Sequence, residues 1–226
     1  MPPGETSLDF LERAAPFLKE FSLTDRNCAD ASVIAGMEQV ERIYLSKLPK
    51  KDIDFTRLRR LRKFNGPGTE HLLSLAGVTS LCELELDTPR EAFLSAIEAD
   101  LEVLDLRQAR TLRGLARNEH FAGLREISIH GSPRFDCSTL LQIDRPSYVQ
   151  LHTIKDLVNI EALAAWGSGP EIELHNCGPL AEPVRILALA DARLSLIGDR
   201  FPIDRQFVAE RLQPAPSLWS LPPALL

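Results

Sequence analysis

Three short runs of this sequence close on histidine: ISIH at 127–130, VQLH at 149–152 and IELH at 172–175. The chain holds five histidines, so His130, His152 and His175 place most of them in one context. Imidazole serves as metal ligand, general base and pH-sensitive charge, and each use makes its own demand on geometry. A zinc site needs tetrahedral ligands at about 2.0–2.3 Å, and Glu173 is near enough in sequence to add an oxygen. A hydrolase needs a nucleophile in hydrogen-bond reach of its base, which draws Ser128 and His130 into question. Residues two apart on a strand share a face at about 7 Å, too far for direct activation. No GxxxxGK[ST] or HExxH motif occurs. The four cysteines, spaced 54, 55 and 40 apart, form no CxxC pair and read as reduced thiols. The expectation is a protein without cofactor, resident metal or enzymatic activity.

What recurs is the run, and the histidine is one part of it. Alternating apolar pairs stand at Phe21/Leu23, Ile43/Leu45, Leu61/Lys63, Leu84/Leu86, Leu104/Leu106, Ile127/Ile129, Val149/Leu151, Ile172/Leu174 and Leu194/Leu196. Successive offsets are 22, 18, 23, 20, 23, 22, 23 and 22. Period two marks a strand with its apolar side chains on one face. A single strand of this kind cannot bury that face, so neighbouring repeats must stack and share a core. An apolar residue often precedes the pair by three places, as in LCELEL, LEVLDL and LREISI. Another follows the pair by six, at Leu112, Phe135, Leu157 and Leu180.

This pattern resembles the leucine-rich repeat family, L-x-x-L-x-L followed by a turn and a further leucine at about 20–29 residues per repeat. The resemblance covers residues 17–200. It implies an α/β solenoid, a horseshoe of about nine irregular repeats with a concave parallel β-sheet. The family's turn asparagine is mostly replaced, by Arg26, Leu48, Ala109, Ser132 and Asp199, with Cys177 the one fit to its Asn-or-Cys choice. Lys63 falls in an inward slot, which marks a distorted strand or a side chain that snorkels along the core to water.

Between the strands, helix signals return the chain. In 88–99, Thr88 reads as a cap, Pro89 as the first helical residue and Glu91 as the partner of a capping box. Residues 155–166 place apolar side chains at 157, 160, 163 and 164, which is helical spacing. Residues 5–20 read as a helix, so that 1–16 cap the first repeat, 17–202 form the repeats, and 203–226 supply a closing helix and a proline-rich tail. The whole reads as a single domain.

If the pairs point inward, the residues before, between and after them line the concave face. The candidate protein-binding surface is then Tyr44, Arg60, Arg62, Glu83, Glu85, Asp87, Asp105, Arg107, His130, Tyr148, His152, Glu173 and His175. It has a basic edge at Arg60 and Arg62 against an acidic centre, and a column of three histidines.

A net charge of −6 over 226 residues argues against general affinity for nucleic acid or anionic membrane. No apolar run approaches the roughly 18 residues of a membrane helix, and no secretory signal opens the sequence. The expectation is a cytoplasmic, bacterial protein-binding solenoid that takes a basic partner, for example an immunity protein inhibiting a basic toxin. The alternatives are an effector that binds host proteins and a metal-binding protein built on the histidine column.

Overall fold

A computed structural model of the chain describes residues 6–24, 28–47, 52–68, 72–178, 189 and 192–198. Thirteen strands are found among them: β1 (Thr6–Ser7), β2 (Glu20–Leu23), β3 (Cys28–Asp30), β4 (Arg42–Leu45) and β5 (Lys63–Pro67). After these come β6 (Glu83–Asp87), β7 (Val103–Arg107), β8 (Glu126–His130) and β9 (Phe135–Asp136). The series ends with β10 (Tyr148–His152), β11 (Leu157–Val158), β12 (Glu171–His175) and β13 (Arg193–Ile197). Nine of them, β2, β4, β5, β6, β7, β8, β10, β12 and β13, form one sheet in sequence order. Every pairing in that sheet is parallel, and the apolar pairs meet in phase: Leu84 faces Leu104, Leu104 faces Ile127, and Val149 faces Ile172. The other four make two small parallel pairs, β1 with β3 and β9 with β11.

The inward side chains of β6, β7, β8, β10 and β12 have no exposed surface. They pack against the returns, which carry the short helices α1 (Leu73–Ala76) and α2 (Glu91–Ser95) and several 3-10 turns. The residue six places after the pair joins this core, with Leu112, Phe135 and Leu157 all buried. The spacing in 155–166 resolves into β11 and then a 3-10 helix, Ile160–Trp166, whose buried Ile160 and Leu163 are three apart. A three-residue interval suits the three-per-turn helix, which aligns such side chains on one edge.

The strand read at Leu61/Lys63 sits elsewhere. Strand β5 is Lys63–Pro67, with Phe64 beside Ile43 and Leu84, so the inward pair is Phe64 and Gly66. Phe64 is fully buried and meets Phe55 edge-on, ring centroids 5.6 Å apart. A Cβ on Gly66 would lie 2.9 Å from the Phe64 ring, so that ring fills the space a second leucine would take. The offsets across this region become 22, 21, 20 and 20, more even than before. Lys63 therefore faces outward. Arg60 lies in a turn and Arg62 just before β5, both exposed and neither on the sheet. The basic edge is thereby corrected to Lys63.

Two capping expectations also change. Thr88 does not start a helix: it follows β6 directly with φ 53°, and α2 begins at Glu91 without a side-chain cap. The same left-handed joint follows each later strand of the sheet, at Gln108, Gly131, Thr153, Asn176 and Gly198. Its N–H often donates to the closing carbonyl of the next strand, as Thr88 does to Arg107, Gly131 to His152 and Thr153 to His175. At the N-terminus the helix expected over 5–20 is two 3-10 turns, Asp9–Leu11 and Ala15–Phe17, the second containing Pro16. Proline lacks the N–H that a continuing helix would use. Leu8 and Ala15 still reach the core at the end of the sheet. The expected closing helix and tail, 203–226, lie outside the described residues.

Substitutes for the turn asparagine are visible. Ser132 Oγ, buried, has the carbonyls of Leu112 (2.8 Å) and Arg134 (2.7 Å) within reach of its one hydroxyl proton. The Cys177 thiol likewise has the Leu151 (3.1 Å) and His175 (3.4 Å) carbonyls within reach. On the returns, Asn118 Nδ2 ties Leu94 and Ile97 carbonyls of the preceding repeat.

Gly66→Leu is expected to overpack this site and cost about 1–3 kcal/mol. The double variant Phe64→Leu/Gly66→Leu, which restores the usual alternating pair, should recover part of that loss. Thermal unfolding of the two measures it, and equal melting temperatures would show that the Phe64 ring is not what excludes a side chain at 66.

Candidate functional site

Burial of alternate residues leaves the rest of each strand on the open face of the sheet, where register fixes their neighbours. On the nine strands that face carries eight carboxylates against four cations, Arg42, Lys63, Arg107 and Arg193. Of the residues read from sequence, all but Arg60 and Arg62 stand at outward strand positions. Tyr44 is 41% exposed, beside a shallow pocket of 340 Å³ bounded by Glu20, Ser22 and Asn65.

The two ends of this face differ in how charge is balanced. Over β5 to β7, Lys63 Nζ lies 3.0 Å from both Glu83 and Glu85. Arg107 donates to Glu85 and to Asp105, each at 2.9 Å. Asn65 Nδ2 also donates to Glu85. Hydrogen bonds from Lys63 to Glu83 and Glu85 hold its ammonium above the ordinary lysine range, against the opposing effect of burial. Burial works against the Arg107 cation, but its charge partners Asp105 and Glu85 outweigh it. The acidic centre read from sequence is thus partly compensated from within: Glu83, Glu85 and Asp105 are paired, and Asp87 forms no salt bridge among the described residues. Lys63 and Asn65 were left off the outward face by the sequence reading because the inward pair of β5 was placed three residues too early; the evenness of the repeat offsets was the signal that could have found them.

Over β8, β10 and β12 the arrangement is different. Glu173 accepts from Tyr148 Oη (2.8 Å), Gln150 Nε2 (3.1 Å) and His175 (3.1 Å). Burial alone would raise the pKa of Glu173, yet these hydrogen bonds hold it below the usual carboxylate range. The Tyr148 phenol is pushed far up by burial and by the same Glu173. Neither Glu126 nor Glu171 takes part in a salt bridge among the described residues, although Arg193 is the register neighbour of Glu171.

The histidine column is formed by the register His130–His152–His175. Ring centroids are 5.2 Å apart in the first pair and 5.5 Å in the second, with interplanar angles of 32° and 39°. Burial lowers the pKa of His130 further than the nearby Asp105 raises it, and the other imidazoles and Arg107 lower it too. Burial and then His175 lower His152. Both rings are neutral at pH 7, where ordinary imidazole already is mostly so. Asp105 Oδ1 is buried without a hydrogen-bond partner among the described residues, 3.6 Å from His130 Nε2. Among the described residues no three His, Cys, Asp or Glu side chains are arranged to hold a metal ion. Cys82, Cys137 and Cys177 are free thiols, and burial pushes Cys177 up to about 11 and Cys137 higher, so neither buried thiol is ionised near neutrality. No helix among the described residues is long and apolar enough to cross a membrane.

The lowered histidines set a sign for acid stability. The unfolded chain takes up protons on His130 and His152 at higher pH than the folded chain does. Their contribution is therefore complete above about pH 6.5 and is lost as pH falls below that value. The chain is expected to melt at a lower temperature at about pH 5.5 than at about pH 7.5, with His130→Gln/His152→Gln narrowing the gap. An unchanged gap in that variant would place the acid sensitivity elsewhere.

No family model matches this sequence, and no curated protein matches it. Solved structures do. An internalin (inlF) from Listeria monocytogenes superposes with a TM-score of 0.65 at 14% identity, over 93% of this chain and 69% of that one. An internalin C2 (inlC2) from the same organism gives 0.55 at 15% identity, over 82% of this chain and 83% of that one. With one strand per repeat in a single parallel sheet and internalins as its structural likenesses, the chain is a leucine-rich-repeat solenoid.

Proposed function

We propose that this solenoid is a non-enzymatic binding protein that grips a protein partner on its concave face. The observation that carries the reading is the outward face of the sheet, a largely polar surface with twice as many carboxylates as cations. Fold does not by itself fix function, so the argument rests on that surface chemistry. An excess of negative charge steers and registers a basic partner, and it disfavours acidic ones. A dedicated inhibitor of a basic toxin is the partner relationship that best matches a small acidic solenoid. A cytoplasmic site of action goes with that assignment.

The test uses the whole chain as bait in extracts of its source cell, with Ser128→Arg as the discriminating variant. Ser128 sits between Asp105 and Gln150 in the middle of the face, so arginine there adds bulk and positive charge in the partner's path. Ser128→Arg should cut affinity for the captured protein at least about tenfold, about 1.4 kcal/mol, with little change in thermal unfolding. Leu141→Arg, at an exposed position on a return, should leave it unchanged. Capture that survives Ser128→Arg and fails with Leu141→Arg would move the site off the concave face. Capture from host-cell extracts alone, and none from the source cell, would replace the toxin inhibitor with an effector.

A further inference from the structure

Strands β8, β10 and β12 present a three-by-three grid of outward residues. One column is Glu126, Tyr148 and Glu171, the middle one Ser128, Gln150 and Glu173, and the last His130, His152 and His175. No lysine or arginine stands on these strands. Next to them, Glu83, Glu85 and Asp105 of β6 and β7 are engaged by Lys63 and Arg107, and Asp87 alone of that group has no salt bridge among the described residues. The larger group of carboxylates without a lysine or arginine partner is therefore Glu126, Glu171 and Glu173 on the grid. Its outer residues span about 13 Å along the strands and about 10 Å across them, room for one loop carrying two or three side chains. That is well short of the roughly 800 Å² per partner of a stable interface, so the grid acts as the charge-reading part of a larger concave contact.

Resting on the concave-face reading above, we propose that β8, β10 and β12 dock a cationic, arginine-bearing segment of the protein partner, and that protonation of the histidine column releases it. The charged and titratable groups facing the column are Asp105 and Arg107 on β7, Glu173 on β12, and the three imidazoles themselves. The column is uncharged when neutral, and the field over the grid is that of Glu126, Glu171 and Glu173. Each imidazolium formed in the column offsets Glu173 beside it, weakens the field of Glu126 and Glu171 about 13 Å along the strands, and repels an arriving guanidinium. Asp105 Oδ1, buried and unpartnered, is in place to stabilise the protonated His130. Thr153 Oγ1 holds His152 Nδ1 at 2.9 Å, which fixes one ring orientation in the middle of the stack.

The probe is a fluorescein-labelled Gly/Ser peptide carrying three arginines and no group that titrates near neutrality, followed by anisotropy at low salt. Wild type should bind it at about pH 7.5 and at least about fivefold more weakly at about pH 5.5. Glu126→Gln/Glu171→Gln should weaken binding at the higher pH by a similar factor, while Glu119→Gln, away from the sheet, should not. His130→Gln/His152→Gln/His175→Gln should bind at the higher pH within about twofold of wild type and lose the pH dependence. Should that triple variant fold poorly, histidine NMR of the wild type serves instead: peptide must shift His130, His152 and His175 and leave His120 in place. Absence of wild-type binding at the higher pH overturns the proposal. So do indifference to Glu126→Gln/Glu171→Gln, pH dependence that persists without the histidines, or shifts confined to His120. A captured partner blocked by Ser128→Arg yet insensitive to the grid carboxylates and the histidines would leave the concave-face reading standing and end this one.

Discussion

Each strand of the sheet buries two side chains that it could not bury alone. Leu84 and Leu86, Leu104 and Leu106, Ile127 and Ile129 have no exposed surface only because the same pair on the next strand lies against them in phase. Full burial of such a side chain is worth about 1.5–3 kcal/mol, so a repeat that slipped by one residue would forfeit both and expose them to water. That constraint fixes the vertical register of the solenoid. It thereby fixes every outward residue as well, and the histidine column is aligned because Ile127, Val149 and Ile172 are aligned beneath it.

Electrostatics then acts on positions already set by packing. Glu85 illustrates the point: it receives Lys63 from one side and Arg107 from the other, across strands that the core holds side by side. Glu173 finds hydrogen-bond donors in Tyr148, Gln150 and His175 instead of a cation. The two stretches thus differ in character, one with most of its carboxylates ion-paired by its own cations and one whose strands carry no lysine or arginine.

Most of the architecture could be read from the sequence because its signal is redundant: eight of the nine inward pairs follow the alternating apolar rule, and the columns follow from them. The ninth failed for a local steric reason. In β5 one aromatic ring does the work of two leucines, so Phe64 and Gly66 carry no alternating signature, and Leu61 with Lys63 offered a false one. Arg60 and Arg62 were placed on the concave face by that single shift. Thr88 was misread for a different reason. Its side chain suits a helix cap, yet the chain uses it at a left-handed joint, a conformation that sequence composition flags for glycine or asparagine but seldom for threonine. Which carboxylates are already engaged could not be read at all, since it depends on the reach of Lys63 and Arg107 across neighbouring strands.

The left-handed joint after each strand of the nine-stranded sheet from β6 onward has a bearing on how such a molecule can change over generations. Strand spacing varies from 20 to 23 residues between neighbours, yet the sheet stays in phase, because the extra residues are taken up in the returns between one joint and the next strand. A block cut from joint to joint carries its own strand, its own return and its own three outward residues. Duplication, loss or exchange of such a block lengthens, shortens or rewrites the concave surface in discrete steps while each neighbour keeps the same contacts. The strands at 126–130, 148–152 and 171–175 show such a block three times over, with one outward position held by histidine in each and the other two varied.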